Sequence, residues 1–186
     1  MDEMSNAIRV SLVCSAVVCM AVAVGCKRPK QEFDGIKGFR VGKTTFKNAA
    51  ARSKACFPVE DGAKRCLARA RKLAGQKALV NLYFPSEKPD ARLEEIWVTV
   101  QRCNVAKTMA WMKKTFGKRT TENGPALTWK GHFAFIAAQV PGPDGDCQLN
   151  FVNPKAKHRI AKLSEKLAEQ AEQVKKKQKA DYSQTP

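Results

Sequence analysis

The chain lacks most of the residue patterns that enzymes and metalloproteins require. Its 186 residues include two histidines, His132 and His158, and neither has a nucleophile at a spacing typical of a hydrolase. No G-x-S-x-G motif and no C-x-x-C pair is present, so the sequence offers neither a nucleophile elbow nor a zinc-site spacing. We therefore expect no catalytic residue, no metal and no cofactor. A hydrolase of unknown type stays a third alternative, because carboxylate pairs can meet in space without being close in sequence.

Negative charge is also scarce. There are 34 Lys and Arg residues against 17 Asp and Glu residues, a net charge of +17, and such a balance favours contact with polyanions. The segment AKRCLARARK, residues 63–72, carries five positive charges and no acidic residue. It either forms a solvated helix face or binds anions. The candidate anion-binding residues are Lys64, Arg65, Arg69, Arg71 and Lys72. An anionic lipid or a cell-wall polymer is the expected partner, and nucleic acid is not, because aromatic residues do not interleave with these charges.

A complete nucleotide-binding loop is missing too. The stretch GIKGFRVGKTT, residues 35–45, ends as a phosphate-binding P-loop does. That motif needs a glycine with four residues between it and Gly42, and Lys37 stands at that position. We predict instead a glycine turn that leads into a helix capped by Thr44 or Thr45.

The longest uncharged apolar run is too short to span a membrane. It covers residues 10–24 and has the length of a signal-peptide core. The run ends in AVGC, residues 23–26, and Lys27 follows. This resembles a bacterial lipobox, which implies that Cys26 is lipidated and becomes the first residue of the mature chain. Lys27 stands where an inner-membrane retention signal has aspartate, so the resemblance implies an outer-membrane lipoprotein facing the periplasm, with the inner membrane as the alternative.

Four cysteines remain after the signal peptide and Cys26 are set aside. They are Cys56, Cys66, Cys103 and Cys147. An even number in an oxidising compartment indicates two disulfides, with three connectivities. We favour Cys56–Cys66 together with Cys103–Cys147, and the other two connectivities stay open.

Helix and strand signals alternate along the middle of the chain. Three segments favour short helices, namely 44–54, 61–75, which would begin at an Asp61 cap and stop at Gly75, and 104–117, with Asn104 as cap and Gly117 as stop. In the third helix an apolar stripe of Val105, Met109, Met112 and Phe116 would face a core. Five segments favour strands: 78–84 and 92–100 as a hairpin, then 126–131, 132–140 and 147–153 as a meander. The connections are too short for parallel crossovers. We therefore predict an α+β fold with an antiparallel sheet of about five strands and two or three packed helices.

The end of the chain predicts one more helix, amphipathic and basic. Asn153 would cap it and Pro154 would take its first position. Its apolar stripe consists of Ile160, Leu163, Leu167, Ala171 and Val174. The predicted organisation is a signal peptide (1–25), a lipidated tether (26–34), a globular α+β domain (35–153), and a basic amphipathic helix with a frayed tail (154–186).

Two stretches carry a resemblance to a known class. GFRVGKTTFKNA opens the first helix, and WMKKTFG with LTWKGHFAFIA leads from helix into strand. Together with a lipid tether, this order resembles small periplasmic lipoproteins of the β-barrel-assembly accessory type and the β-lactamase-inhibitor-like folds. The resemblance implies a non-catalytic binding or scaffolding module that is held to the membrane by its N-terminal lipid and has a protein partner in the envelope. The alternative is a polyanion binder that acts through its basic helices.

Overall fold

The computed structural model describes residues 33–183, except 70, 118–120, 124–125 and 143–144. The predicted signal peptide, Cys26 and nearly all of the tether lie outside these residues. Phe33 and Asp34, the last two residues assigned to the tether, pack into the fold: Phe33 lies against the ring of Phe151, and Asp34 is buried beside Arg40. Among the described residues, no helix combines the length and the apolar character needed to cross a bilayer.

The described residues form three helices and eleven strands. In chain order they are β1 (Gly35–Ile36), β2 (Phe39–Arg40), α1 (Phe46–Ala50), β3 (Ser53–Pro58), β4 (Lys64–Ala68), β5 (Arg71–Leu73), β6 (Gln76–Phe84), β7 (Glu95–Val100), α2 (Val105–Phe116), β8 (Thr121–Asn123), β9 (Ala126–Lys130), β10 (Phe135–Gln139), β11 (Cys147–Val152) and α3 (Lys157–Ser183). A 3-10 turn at Glu60–Gly62 joins β3 to β4.

One large antiparallel sheet organises the chain. Eight of its strands follow the order β3-β4-β6-β7-β11-β10-β9-β8, and β5 pairs with the first residues of β6. The α+β class and the antiparallel sheet are confirmed. The prediction of about five strands is an undercount, because it includes β6, β7, β9, β10 and β11 but leaves out β3, β4, β5 and β8.

The helix predicted over 61–75 is wrong. This segment forms β4 and β5, which pair with β6. Ala74 and Gly75 both have positive φ, 49° and 75°, and join β5 to β6 as a two-residue turn of the kind that suits hairpins. Gly75 is thus a turn residue rather than a helix stop. Alanine, lysine and arginine favour helix locally, but pairing with the strands on both sides overrides that weak preference.

The other predicted helices are present, but α1 is shorter than the predicted 44–54, because Ser53 and Lys54 belong to β3. In α1 the Thr45 side chain accepts a hydrogen bond from the Asn48 N–H, and Gly42, with φ of 71°, lies in the preceding turn. In α2 Asn104 is the cap and Gly117 follows the last residue. The apolar stripe predicted for α2 is partly wrong, because Val105 is exposed. Met112 is buried, and Met109 and Phe116 pack against the core as predicted. Thr108 is buried as well, and its hydroxyl accepts a hydrogen bond from Gln76.

The sheet has an inner and an outer face. Its inner face forms the main core with α2, and Phe116 packs against Phe151 and Trp129. Helix α3 crosses the outer face. It begins at Lys157 rather than at Pro154, since Asn153 Oδ1 accepts a hydrogen bond from the Lys155 N–H in a preceding turn. Four apolar side chains of its first half and of the turn before it pack against β10 and β11, namely Ala156, Ile160, Leu163 and Leu167.

Two disulfides cross-link the fold. One joins Cys56 on β3 to Cys66 on β4, and the other joins Cys103, just before α2, to Cys147 on β11. This is the pairing that the sequence favours. The sequence separations are 10 and 44 residues, so loop-closure entropy gives contributions of about 3 and about 4 kcal/mol.

We expect the longer-loop disulfide to stabilise the chain more. Both bridges contain one fully buried cysteine, Cys66 or Cys147, so replacing each pair with alanine removes comparable packing. Cys103→Ala/Cys147→Ala should lower the free energy of unfolding by about 1 kcal/mol more than Cys56→Ala/Cys66→Ala, measured by urea denaturation. A larger loss for the Cys56/Cys66 variant would contradict this expectation.

Candidate functional site

Among the described residues, helix α3 covers part of the outer face of the sheet. Its apolar side chains contact β10 and β11. Beside the helix, Phe57 of β3, Arg65 of β4, Lys72 of β5 and Leu79 of β6 are exposed on that face. We call this exposed region with the adjoining side of α3 the trough. Its floor comprises Phe57, Arg65, Lys72, Lys77, Leu79, Tyr83 and Trp97. Its wall on α3 comprises Arg159, Lys162 and Lys166.

Register places the floor residues side by side. Phe57 pairs with Arg65, and Arg65 pairs with Tyr83, so these three side chains form one row across β3, β4 and β6. Along β6 the alternation of exposed and buried positions puts Lys77, Leu79 and Tyr83 on the same face. The floor therefore combines aromatic, aliphatic and cationic groups.

A cavity lies in the trough where the 3-10 turn faces α3. Its volume is about 510 Å³, and its lining includes Glu60, Arg65, Tyr83, His158 and Lys162. A second cavity of about 220 Å³ continues from it toward Trp97 and Lys166. Tyr83, Arg159 and Lys162 line both, so the two cavities form one continuous groove.

Arg159 holds α3 on the sheet at this point. Its Nε lies 3.4 Å from Glu94 Oε2, and its Nη1 lies 3.6 Å from Glu95 Oε2. The guanidinium carbon is 5.2 Å from the centre of the Tyr83 ring. Since only 18% of the Arg159 side chain is exposed, its charge depends on these neighbours.

Glu95 is a buried carboxylate on the floor of the groove. Burial raises its pKa above the ordinary value of 4.5, although the hydrogen bond donated by Asn150 Nδ2, 2.7 Å away, and the charge of Arg159 favour the ionised form. Burial likewise raises the pKa of the neighbouring Tyr83 hydroxyl. These shifts follow from removing the two groups from water.

Cations lie over the aromatic rings of the trough. Lys166 Nζ is 4.3 Å from the centre of the Trp97 ring, and the Arg65 guanidinium is 6.0 Å from that of Phe57. With Arg159 over Tyr83, each of these three rings has a positive charge near one face. Trp97 Nε1 is buried, and no acceptor in the described part of the chain bonds to it. The rings are thus engaged by cations.

The five predicted anion-binding residues do not form one patch. Lys64 pairs with Glu87 at 2.7 Å, and the Arg71 guanidinium lies 5.1 Å from the Phe39 ring on the inner side. Arg65 faces the trough, Arg69 is exposed, and Lys72 is exposed directly opposite Lys77. Anion binding by these residues stays a prediction.

Several trough residues were not singled out from the sequence. They are Phe57, Lys77, Leu79, Tyr83, Trp97, Arg159, Lys162 and Lys166. A signal exists for the last three, because their spacing of i, i+3 and i+7 places them on one side of a helix. The floor residues come from separate strands between residues 53 and 100, and only the pairing and register of those strands bring them together.

The histidines lie in different surroundings. His132 is exposed and packs edge-on against Phe133, whereas His158 Nε2 lies 3.7 Å from Glu94 Oε2 at the mouth of the groove. No serine, threonine or cysteine lines the larger cavity. Within the described residues, no group of three or more His, Cys, Asp or Glu side chains is placed to hold a metal ion.

The chain matches no protein-family model, and comparisons with curated proteins and with solved structures give no significant match. The resemblance to small periplasmic lipoproteins therefore stays a prediction.

The raised pKa of Glu95 predicts a pH dependence of stability. A carboxyl whose pKa in the folded state lies above 4.5 contributes fully to the free energy of unfolding below pH 4.5. It loses this contribution as the pH rises through the pKa of the folded state. In Glu95→Gln the amide oxygen still accepts the Asn150 hydrogen bond. The stability of this variant relative to the wild-type chain should therefore increase from pH 4 toward pH 7, as measured by urea denaturation across that range.

Glu87 provides a control of opposite sign. The hydrogen bond that Lys64 donates to Glu87 lowers the pKa of this carboxyl below 4.5. Its contribution to the free energy of unfolding is therefore present above pH 4.5 and is lost as the pH falls through the pKa of the folded state. The stability of Glu87→Gln relative to the wild type should therefore fall slightly as pH rises. If Glu95→Gln follows the same direction as Glu87→Gln, the assignment of a raised pKa to Glu95 is wrong.

Proposed function

We propose that this protein is a lipid-anchored, non-catalytic binding module of the cell envelope and that its partner lies in the trough. The observation that carries the proposal is the partly covered outer face of the sheet. The inner face is covered, and α3 covers β10 and β11, but Phe57 and Leu79 beside the helix are 44% and 47% exposed. Exposed apolar side chains beside a groove and a cationic wall are typical of interaction surfaces.

The chemistry of the groove supports binding rather than catalysis. The pair formed by His158 and Glu94 is the nearest arrangement to a catalytic base, but no serine, threonine or cysteine side chain lines the larger cavity with it. Arg159 and Glu95 are fully engaged in holding α3 to the sheet. Lys162 and Lys166 are exposed, so they can contact a ligand while the contacts of Arg159 with Glu94 and Glu95 stay intact.

The lipobox AVGC supports the anchor and the address. Lipidation at Cys26 would tether the domain to the outer membrane, facing the periplasm, with the inner membrane as the alternative. An oxidising compartment of this kind agrees with the two disulfides.

The anchor predicts a loss of acylation on mutation. Because lipidation requires the thiol of Cys26, Cys26→Ser should abolish the incorporation of labelled fatty acid into the protein. Mass spectrometry of the wild-type protein should find an acylated Cys26 at its N-terminus. A soluble wild-type chain that retains Met1 would show that the lipobox assignment is wrong.

The trough predicts a position-dependent crosslink. A photoreactive amino acid at Leu79 or at Phe57 should crosslink the same envelope component in living cells, because both side chains are exposed on the outer face. Val105 provides the matched control: it is a similarly exposed apolar residue, but it lies on α2. Equal crosslinking from Val105, or none from Leu79 and Phe57, would rule out the trough as the binding site.

A further inference from the structure

We infer that the trough takes an extended acidic peptide segment that also carries apolar side chains, supplied by a partner protein. This inference rests on the proposed function, because it names the chemistry of the occupant of the same surface. Three features of the trough lead to it: unpaired positive charge, exposed apolar side chains among those charges, and a shape that admits a chain but excludes a flat surface.

The positive charge is available to a ligand. No acidic residue occurs between residues 62 and 86, which span β4, β5 and β6. Lys72 and Lys77 are directly opposite each other, and in the described part of the chain neither forms an ion pair. Like charges at opposed positions destabilise a sheet, so a carboxylate between them would relieve their repulsion.

The α3 wall adds further charge. Lys162 lies 3.9 Å from Glu60, but the two side chains are 81% and 90% exposed, so water and salt weaken this pair. Lys166 contacts the Trp97 ring and no carboxylate among the described residues. A ligand in the trough would therefore meet cations from the sheet on one side and from the helix on the other.

The apolar side chains determine which kind of anion fits. Leu79 is 47% exposed between Lys77 and Tyr83 on the outer face of β6, and Phe57 is 44% exposed at the edge strand. An acidic segment with apolar side chains would bury Leu79 and Phe57 while its carboxylates meet the lysines. A purely ionic polymer would leave these side chains exposed.

Nucleic acid fits less well than peptide. Single-stranded nucleic acid binds such surfaces by stacking its bases on open aromatic rings. In the trough, cations already lie over Trp97, Tyr83 and Phe57. A base would have to displace Lys166 or the buried Arg159 before it could stack from that side.

Shape excludes a flat membrane from the floor. A helix with its side chains is about 10 Å across, so α3 rises roughly that far above the sheet beside the trough. A bilayer surface would meet α3 before it reached Leu79. The floor from Lys77 to Tyr83 measures about 20 Å along β6, which is the length of about six extended residues.

Fluorescence anisotropy with defined probes tests the inference. The protein is the Cys26→Ser chain, and the probe is a labelled peptide of about eight residues in Glu-Glu-Leu-Leu repeats, so that each face of the extended peptide carries both residue types. We expect saturable binding that Lys72→Glu/Lys77→Glu weakens about tenfold through loss of two favourable charge contacts. Lys162→Glu should also weaken it, by about threefold.

Matched controls separate site binding from general charge attraction. Lys47→Glu/Lys113→Glu changes the net charge by the same amount on α1 and α2, and its affinity should stay within about twofold of the parent. Leu79→Ser should weaken binding of the glutamate–leucine peptide but not that of an all-glutamate peptide of equal length. An equal effect of both double variants would overturn the inference.

The remaining outcomes also test the inference and separate it from the proposed function. Tighter binding of a single-stranded oligothymidylate, or binding only to vesicles of phosphatidylglycerol, would overturn the acidic peptide in favour of that class of ligand. If Leu79 crosslinks an envelope component but the glutamate–leucine peptide does not bind, the chemistry inferred for the occupant is wrong and the proposed function stands. If neither Leu79 nor Phe57 gives a crosslink, the proposed function itself fails.

Discussion

The contact between Arg159 and the neighbouring carboxylates of Glu94 and Glu95 determines which part of the outer face of the sheet is available to a ligand. Burying a guanidinium and a carboxylate is costly, and the cost is offset only when the charges meet with good geometry. Arg159 reaches both carboxylates from the first turn of α3, and the Asn150 amide completes the set by donating to Glu95. This contact at the start of β7 fixes the helix along β10 and β11. The trough is what α3 leaves uncovered.

Sequence patterns predicted the strands whose two faces differ most. In β7 and β11 apolar and polar residues alternate, since one face enters the core, and both strands were predicted within two or three residues of their ends. The prediction of a helix in the region of β4 and β5 is wrong for a physical reason. Only Cys66, Ala68 and Leu73 of these strands are buried apolar residues, and the exposed lysines and arginines carry a helix preference that the sheet overrides.

The candidate site was less predictable than the fold. The scarcity of negative charge and the basic segment 63–72 predict anion binding, and Arg65 and Lys72 of that segment lie on the floor of the trough. The partners of these residues could not be deduced, because Tyr83 lies opposite Arg65 only through strand register. Predicting the residues of the α3 wall would require both the position of α3 and its rotation about its axis. These depend on the contacts of Arg159 and Leu163 with the sheet rather than on any local motif.

The part of the outer face that lies under α3 indicates what kind of chain would bind in the trough beside the helix. Beneath the helix the outer face is mixed rather than apolar: Gln139, Asn150 and Glu95 are buried there alongside Ala137 and Val152. Gln139 donates a hydrogen bond to Gln170 of the helix, and Glu95 accepts one from Asn150. The outer face therefore binds a helix through polar groups set among small apolar ones. The trough continues the same rows of the sheet with longer cationic side chains and exposed apolar ones, so a chain that complements it must supply acidic and apolar groups together.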